Sequence, residues 1–172
     1  MRFKNINFFA NMLLNKTPYA KADIKGSSGN PGLMGTVYFY PAHRGTLVAA
    51  ELYGLPREAP GTGNTPPVGP FGFHIHEGGS CEEGSPSDTF PKTGGHFNPT
   101  QMPHPFHAGD MPVLFSNNGY AFLVFYTDRF TPEQIIGRTV VIHESPDDFR
   151  SQPAGNAGKK IGCGVIVRLY AA

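Results

Sequence analysis

The chain has 172 residues, including 22 glycines and 17 prolines, and its formal net charge is +1. A chain of this length suits one domain with a substantial core. The near-neutral charge gives no general basis for binding nucleic acid or a membrane surface, so we expect neither as a partner. No apolar run approaches the roughly 20 residues that a helix needs to span a bilayer.

Residues 1–19 differ in character from the rest of the chain. Basic residues begin the chain, as in a signal peptide, but asparagines interrupt the apolar segment, so we expect a cytoplasmic protein. Ile6, Phe9 and Leu13 recur at helical spacing. We therefore predict an N-terminal extension over residues 1–19 with a short amphipathic helix, packed on the domain or on a partner subunit. A frayed extension is the alternative.

Residues 20–172 form short apolar segments rich in β-branched and aromatic residues, separated by glycine and proline turns. This pattern is typical of an all-β sandwich or barrel. Thr131 begins a capping-box sequence with proline at the next position, which predicts one helical turn. The eight predicted strands cover residues 20–25, 35–40, 46–52, 71–77, 113–115, 120–126, 138–144 and 162–170.

Histidines concentrate in one stretch of the chain. Five of the seven lie between Gly72 and Asp110, and a sixth, His143, ends an apolar run. His43 falls in a predicted turn, where we expect a solvated surface side chain. Imidazoles and carboxylates at this density predict a transition-metal site.

His74 and His76 flank Ile75 in a segment that alternates like a strand. Residues two apart on a strand project to the same face, so the two imidazoles can bind one ion. Two solvated histidines on the exposed face of a strand are the alternative. The other histidines nearby favour the metal site.

The number of donors permits two ions without requiring them. Two closed four-coordinate sites need eight donors, and the chain offers seven. Two ions would therefore share one ligand or leave one position open. An imidazole has two ring nitrogens and can bind an ion on each side, and His96 is the natural bridge in sequence order. The candidate donors are His74, His76, His96, His104, His107, His143 and Asp110.

Six motifs along the chain together carry a family resemblance. From about Lys21 to Tyr170 the sequence resembles copper/zinc superoxide dismutase, and the motifs occur in that family's order. They are Gly-Phe-His-x-His-Glu at residues 72–77, Gly-His-Phe-Asn-Pro at 95–99, His-x-Gly-Asp at 107–110, Val-Val-x-His-Glu at 140–144, Asp-Asp at 147–148 and Gly-Asn-Ala-Gly-x-x-x-x-Cys-Gly-Val-Ile at 155–166.

The resemblance implies a Greek-key barrel and a role for each candidate donor. Asp147 would tie ligands of the two metals together, which fixes ring orientation. Cys81 and Cys163 would form a disulfide, although two cysteines in a cytoplasmic protein would otherwise be expected as free thiols. Copper would be bound by His74, His76, His96 and His143, and zinc by His96, His104, His107 and Asp110.

The resemblance also implies the reaction. Copper cycling between Cu(II) and Cu(I) would convert superoxide to O₂ and H₂O₂, with zinc in a structural role. His96 would take part in catalysis by opening on the copper side and accepting a proton. Lys160 occupies the position where the family usually has arginine, and would attract superoxide. Family members form dimers, so a second copy of the chain is a further expected partner. They do so through different surfaces, so the resemblance does not choose the surface.

The sequence departs from the family at three points. Lysine is a mobile point charge where arginine offers a rigid fork, and an ordinary solvated lysine is the alternative interpretation of Lys160. The loop over residues 144–161 is short, and Ala154 replaces a threonine, so we expect weaker attraction of superoxide. Only two residues separate His104 from His107. Prolines around His104 stiffen this segment, and either let both rings converge or leave His104 away from zinc.

Three functions follow from these residues. The first is an active superoxide dismutase. The second is a copper-carrying or zinc-only domain of the same fold with little or no activity. The third is a jelly-roll non-haem iron oxygenase with a facial triad of His74, His76 and Glu77. That triad leaves His96 and His143 without a role.

Overall fold

A computed structural model describes residues 6–170, and seven apolar segments in this range form one antiparallel sheet. Two 3₁₀ helices lie in the loops, at Pro91–Thr93 and Pro132–Ile135. The α-helix and the strands are α1 Ile6–Asn15, β1 Ala20–Gly26, β2 Met34–Ala42, β3 Gly45–Tyr53, β4 Phe73–His76, β5 Ala121–Thr127, β6 Thr139–His143 and β7 Lys160–Arg168.

The sheet curls around a single core. Its strand order is β4-β6-β7-β1-β2-β3-β5, so β4 and β5 lie at opposite ends. Phe73 and Ile75 of β4 nevertheless belong to the same buried cluster as Ala121 of β5 and Val37 and Phe39 of β2. A flat sheet would hold its two end strands far apart, so the sheet must bend into a half-barrel with the core on its concave side.

The structure confirms the predicted all-β class but has seven strands among the described residues instead of eight. The segment predicted as a strand over residues 113–115 forms one isolated bridge, between Leu114 and Phe71. Pro112 precedes it and cannot donate a ladder hydrogen bond, and a turn at Asn118 follows within a few residues. The predicted helical turn is a 3₁₀ helix, and the Gln134 side chain accepts a hydrogen bond from the Thr131 N–H at 2.9 Å.

Helix α1 covers the outer face of the sheet. Met12 is buried against Tyr40 and Leu47, whose neighbours in β2 and β3 point into the core. Adjacent residues in a strand face opposite sides, so the helix and the core lie on opposite faces of the sheet. Residues 1–5 of the predicted extension lie outside the described residues. Within residues 6–170, no helix is long and apolar enough to cross a membrane.

Long connections between the strands carry the candidate site residues that do not lie in the strands themselves. Residues 77–120 join β4 to β5, and residues 144–159 join β6 to β7. The expected disulfide is confirmed: Cys81 in the first connection is bonded to Cys163 in β7, with their Cα atoms 5.6 Å apart. In the chain-entropy model such a bridge contributes roughly 4–5 kcal/mol to stability. It also fixes the start of the longer loop to the sheet.

Candidate metal centre

Strand β4 organises the site. Both His74 and His76 are buried, on the face of β4 opposite Phe73 and Ile75, which belong to the core. Among the strands of residues 6–170, only β6 pairs with β4, so the other edge of β4 needs hydrogen-bond partners. The long loop supplies them: the Ile75 N–H donates to Gly109 O at 2.9 Å, and the Phe97 N–H donates to Ile75 O at 2.8 Å.

These backbone hydrogen bonds bring distant histidines beside β4. His96 pairs with His76 and Asp110 pairs with His74 as isolated antiparallel bridges. On the other edge of β4, strand β6 ends at His143, whose N–H donates to Gly72 O at 2.8 Å. The predicted donors therefore converge from three separate parts of the chain.

The first donor group contains imidazoles only. Its four ligand atoms lie within 4.8 Å of one another, and all four residues are buried. The Nε2 atoms of His76 and His143 are 3.2 Å apart. The group consists of His74, His76, His96 and His143.

The second donor group shares His96 with the first and adds a carboxylate. Asp110 lies at its centre, with Oδ1 2.7 Å from His96 Nδ1 and 3.3 Å from His107 Nδ1. Asp110 Oδ2 is 3.1 Å from His104 Nδ1. The short spacing between His104 and His107 does not keep His104 away, since the structure places both rings in this group.

Hydrogen bonds at the outer nitrogens orient the rings of the first group. The Nδ1–H of His76 donates to Gly94 O at 2.9 Å, and that of His143 donates to Gly158 O at 3.2 Å. A ring nitrogen that donates to a carbonyl carries the proton, which leaves the other nitrogen as an acceptor. His76 and His143 therefore both present Nε2 lone pairs to the interior of the group.

Asp147 connects the two groups. Its Oδ2 accepts from His74 Nε2 at 2.8 Å, and its Oδ1 accepts from His104 Nε2 at 2.9 Å. The Asp147 carboxylate and both imidazoles are fully buried. One carboxylate thus sets the tautomer of one ring in each group, an arrangement common around protein metal sites.

Three buried side-chain nitrogens among the described residues have no hydrogen-bond partner, and they test whether the donors fit metal ions. They are His74 Nδ1, His96 Nε2 and His104 Nδ1; the last lies near Asp110 without hydrogen-bond geometry. An unpaired buried polar group costs about 1–3 kcal/mol, so native proteins rarely leave three so close together. All three belong to the donor groups, and a metal ion in each group would satisfy them.

Burial also keeps His74, His76 and His143 uncharged. Loss of solvation lowers the pKa of His74 and His76 well below the usual value, and neighbouring imidazoles lower it further. Burial lowers the pKa of His143 to about 4. Burial opposes ionisation of Asp110, but the hydrogen bond with His96 and the nearby imidazoles outweigh it and lower the Asp110 pKa. Neutral imidazole and ionised carboxylate are the metal-binding forms.

Lys160 lies beside the first group. It is the register partner of His143 across β6 and β7, and its positive charge contributes to the low pKa of His143. Its ammonium donates to Phe90 O at 3.0 Å and to Asp88 Oδ1 at 3.2 Å. Lys160 is therefore held by the loop that contains the disulfide.

Two other predicted positions lie outside both groups. His43 is exposed, as expected for the turn between β2 and β3. Glu77 is exposed, and its Oε1 accepts a hydrogen bond from the Gly95 N–H at 3.4 Å. Strand alternation directs Glu77 away from His74 and His76, so these three residues do not form a facial triad.

Three residues that support the site were missed from the sequence. The Gln152 amide contacts the main chain of His104, and Arg129 donates to the carbonyls of Pro105, His107 and Asp110. Their partners lie 48 and 19–24 residues away in sequence, so no local pattern indicates these contacts.

Gly155 is the third supporting residue that was missed from the sequence. It begins the Gly-Asn-Ala-Gly motif, which could have indicated it. Its φ is +66°, a conformation that favours glycine. A Cβ at this position would overlap Asp147 Oδ1 and lie 2.7 Å from His104 Nε2.

Comparison with known proteins agrees with this geometry. The sequence matches the copper/zinc superoxide dismutase (SODC) family over residues 33–166. A copper-zinc superoxide dismutase of Deinococcus radiodurans is 34% identical over an alignment of 166 residues. The alignment covers 87% of this chain and 84% of the relative. Copper-zinc superoxide dismutase 2 of Aquifex aeolicus is 33% identical over an alignment of 162 residues. This alignment covers 86% of this chain and 85% of the relative.

The chain belongs to the copper/zinc superoxide dismutase family. It is accordingly an oxidoreductase that acts on superoxide, and its two donor groups fit the copper and zinc of that family. The predicted function and cofactors are confirmed, and a binding domain without activity is not favoured.

We expect the metal-free protein to lose stability as the pH falls from about 6.5 to about 4. His143 titrates near pH 4 in the folded state but near 6.5 when unfolded, so unfolding takes up a proton between these values. The contribution of His143, roughly 3 kcal/mol, is present above the unfolded pKa and is lost progressively as the pH falls to the folded pKa. Denaturant unfolding at a series of pH values measures this. A His143→Asn variant with an equally steep pH dependence would contradict the assignment.

Substituting Gly155 tests how tightly Asp147 and His104 are packed. Gly155→Ala adds a Cβ that must displace Asp147, which we expect to lower the free energy of unfolding by about 2 kcal/mol beyond the backbone strain. Gly137→Ala is the matched control, because Gly137 has a similar φ of +78° and no heavy atom within 4 Å of an added Cβ. The free energy of unfolding of each variant is measured by denaturant unfolding. Equal decreases in the two variants would show that the site tolerates the displacement of Asp147.

Proposed function

We propose that the superoxide dismutase uses the first donor group for copper and the second for zinc. The observation that carries this assignment is the pair of buried four-donor groups with His96 in common. An all-imidazole group suits copper, and three imidazoles with one carboxylate suit zinc. The proposed copper ligands are His74, His76, His96 and His143, and the proposed zinc ligands are His96, His104, His107 and Asp110.

Copper would supply one-electron chemistry between Cu(II) and Cu(I), whereas zinc has no redox chemistry in proteins. The protein holds four of the donor rings in fixed orientations. Carbonyl contacts fix the rings of His76 and His143, and Asp147 fixes the rings of His74 and His104. Little reorganisation is then needed between turnovers.

His96 is the proposed proton carrier. Its Nδ1 contacts Asp110 at 2.7 Å, while its Nε2 faces the first group without a hydrogen-bond partner. The reaction consumes two protons for two superoxide ions, giving O₂ and H₂O₂. Nε2 of His96 can hold a proton on the side where the reaction takes place, and Asp110 keeps the ring oriented while it does so.

Lys160 is the proposed source of attraction for superoxide, which is an anion. Its side chain is only 18% exposed, and its charge acts on His143. Lys160 and Lys159 border a cleft of about 440 Å³ that Glu83 and Glu144 also line. Asp88, 3.2 Å from the Lys160 ammonium, offsets part of its charge. Attraction weaker than that of an unpaired cation is therefore expected.

We further propose that the half-barrel is the Greek-key barrel of the family. Support comes from the loop segments along the outer edge of β4, where Leu114, Asp110 and His96 form antiparallel bridges in place of an eighth strand.

A homodimer, a cytoplasmic location and the absence of nucleic acid as a partner stay predictions. Gel filtration with light scattering decides the first of these.

Metal analysis combined with an activity assay tests the proposed function. One copper and one zinc per chain, together with rapid loss of superoxide, is the expected result. His107→Ala should lower zinc content while copper stays bound, because His107 belongs only to the second group. A copper-loaded protein that leaves superoxide intact would contradict the enzymatic function and support a metal-binding domain of the same fold. Iron in place of copper would overturn the cofactor assignment.

Two single substitutions of opposite effect test the attraction of superoxide. Lys160→Ala removes the positive charge and should lower kcat/KM severalfold at low salt, whereas Asp88→Asn should raise it. Both differences should shrink as ionic strength rises, because salt screens exposed charges. Glu133→Gln, the same charge change at an exposed residue of a 3₁₀ helix, is the control for Asp88. Identical rates and salt dependence in Lys160→Ala and the parent would exclude Lys160 from this role.

A further inference from the structure

His104 occupies a segment with few main-chain donors. Pro103 and Pro105 flank it, and proline has no N–H, so His104 supplies the only N–H between Met102 and Phe106. Such a segment cannot join a sheet. Yet His104 is only 3% exposed, and its ring takes part in both Asp147 and Asp110 contacts. Some other group must therefore satisfy and fix its main chain.

Gln152 provides that group. Its Oε1 accepts from the His104 N–H at 3.0 Å, and its Nε2 donates to His104 O at 2.7 Å. One side-chain amide thus pairs with both main-chain groups of one residue. Two residues opposite each other in an antiparallel sheet exchange hydrogen bonds in the same way.

The same loop contacts His104 at two points. Residues 144–159 contain both Gln152, which contacts the main chain, and Asp147, which contacts the ring at Nε2. On the other side, Arg129 donates to Pro105 O at 3.0 Å and to His107 O at 3.3 Å. Within residues 6–170, no hydrogen bond joins the Arg129 guanidinium to His104. The position of the His104 main chain therefore depends on Gln152.

We propose that Gln152 is a positioning residue of the zinc centre, holding the main chain of His104 while Asp147 orients its ring. The proposal rests on the assignment of zinc to the second donor group. Without Gln152 the His104 N–H and carbonyl lose their partners, and the ring can move away from Asp110. Zinc then dissociates faster, whereas three of the four copper donors, His74, His76 and His143, lie in strands that do not involve Gln152.

The rate of zinc release measures this directly. We expect copper- and zinc-loaded Gln152→Ala to release zinc to a chromogenic chelator about tenfold faster than the parent, with copper content unchanged. Gln152→Glu should lie between the two, because a carboxylate accepts from the His104 N–H but cannot donate to its carbonyl. Gln101→Asn shortens an exposed glutamine of the loop that contains His104 and should behave as the parent. Equal zinc release from Gln152→Ala and the parent would overturn the proposal.

Amide hydrogen exchange separates this proposal from the zinc assignment. In the metal-free protein, the His104 N–H should exchange faster in Gln152→Ala than in the parent or in Gln101→Asn. Unchanged exchange would overturn the positioning role even if zinc release differed. A parent that binds no zinc would instead overturn the zinc assignment, and exchange at His104 would still decide whether Gln152 holds this residue. Loss of copper together with zinc would indicate general unfolding and count against a role at His104.

Discussion

The burial of six imidazoles and one carboxylate in a small volume is the constraint on which the rest of this structure depends. Buried polar nitrogens without partners destabilise a fold, and three of these imidazoles have one such nitrogen each. The surroundings satisfy the outer nitrogens through the carbonyls of Gly94 and Gly158 and through Asp147. The inner nitrogens are left for metal ions, so folding of this centre and metal binding are energetically linked.

Holding these donors requires order in loops that have little regular structure. The edge of β4 pairs with the segments around Phe97 and Gly109, and the disulfide at Cys81 fixes the start of the longer loop. Asp147 then links a ring from each donor group. A single buried carboxylate therefore contacts both groups. Gln152 adds a main-chain contact between the same two loops.

Charge at the site is set locally and not by the protein as a whole. The net charge of +1 creates little general field, so attraction of a small anion must come from individual side chains. Lys160 is placed opposite His143 by the register of β6 and β7, and Asp88 offsets part of its charge. The proposed attraction of superoxide by Lys160, offset in part by Asp88, would therefore depend on these two side chains.

The sequence by itself determined the all-β class, seven of the strands and the candidate metal donors, because these depend on local periodicity and residue chemistry. Alternation placed His74 and His76 on one face without any knowledge of the fold. Only the tertiary structure decided that residues 113–115 pair through a single bridge, that His104 reaches the second group and that Gln152 and Arg129 support it. These outcomes depend on contacts between loops far apart in sequence, whose geometry follows from the curled sheet and leaves no pattern in neighbouring residues.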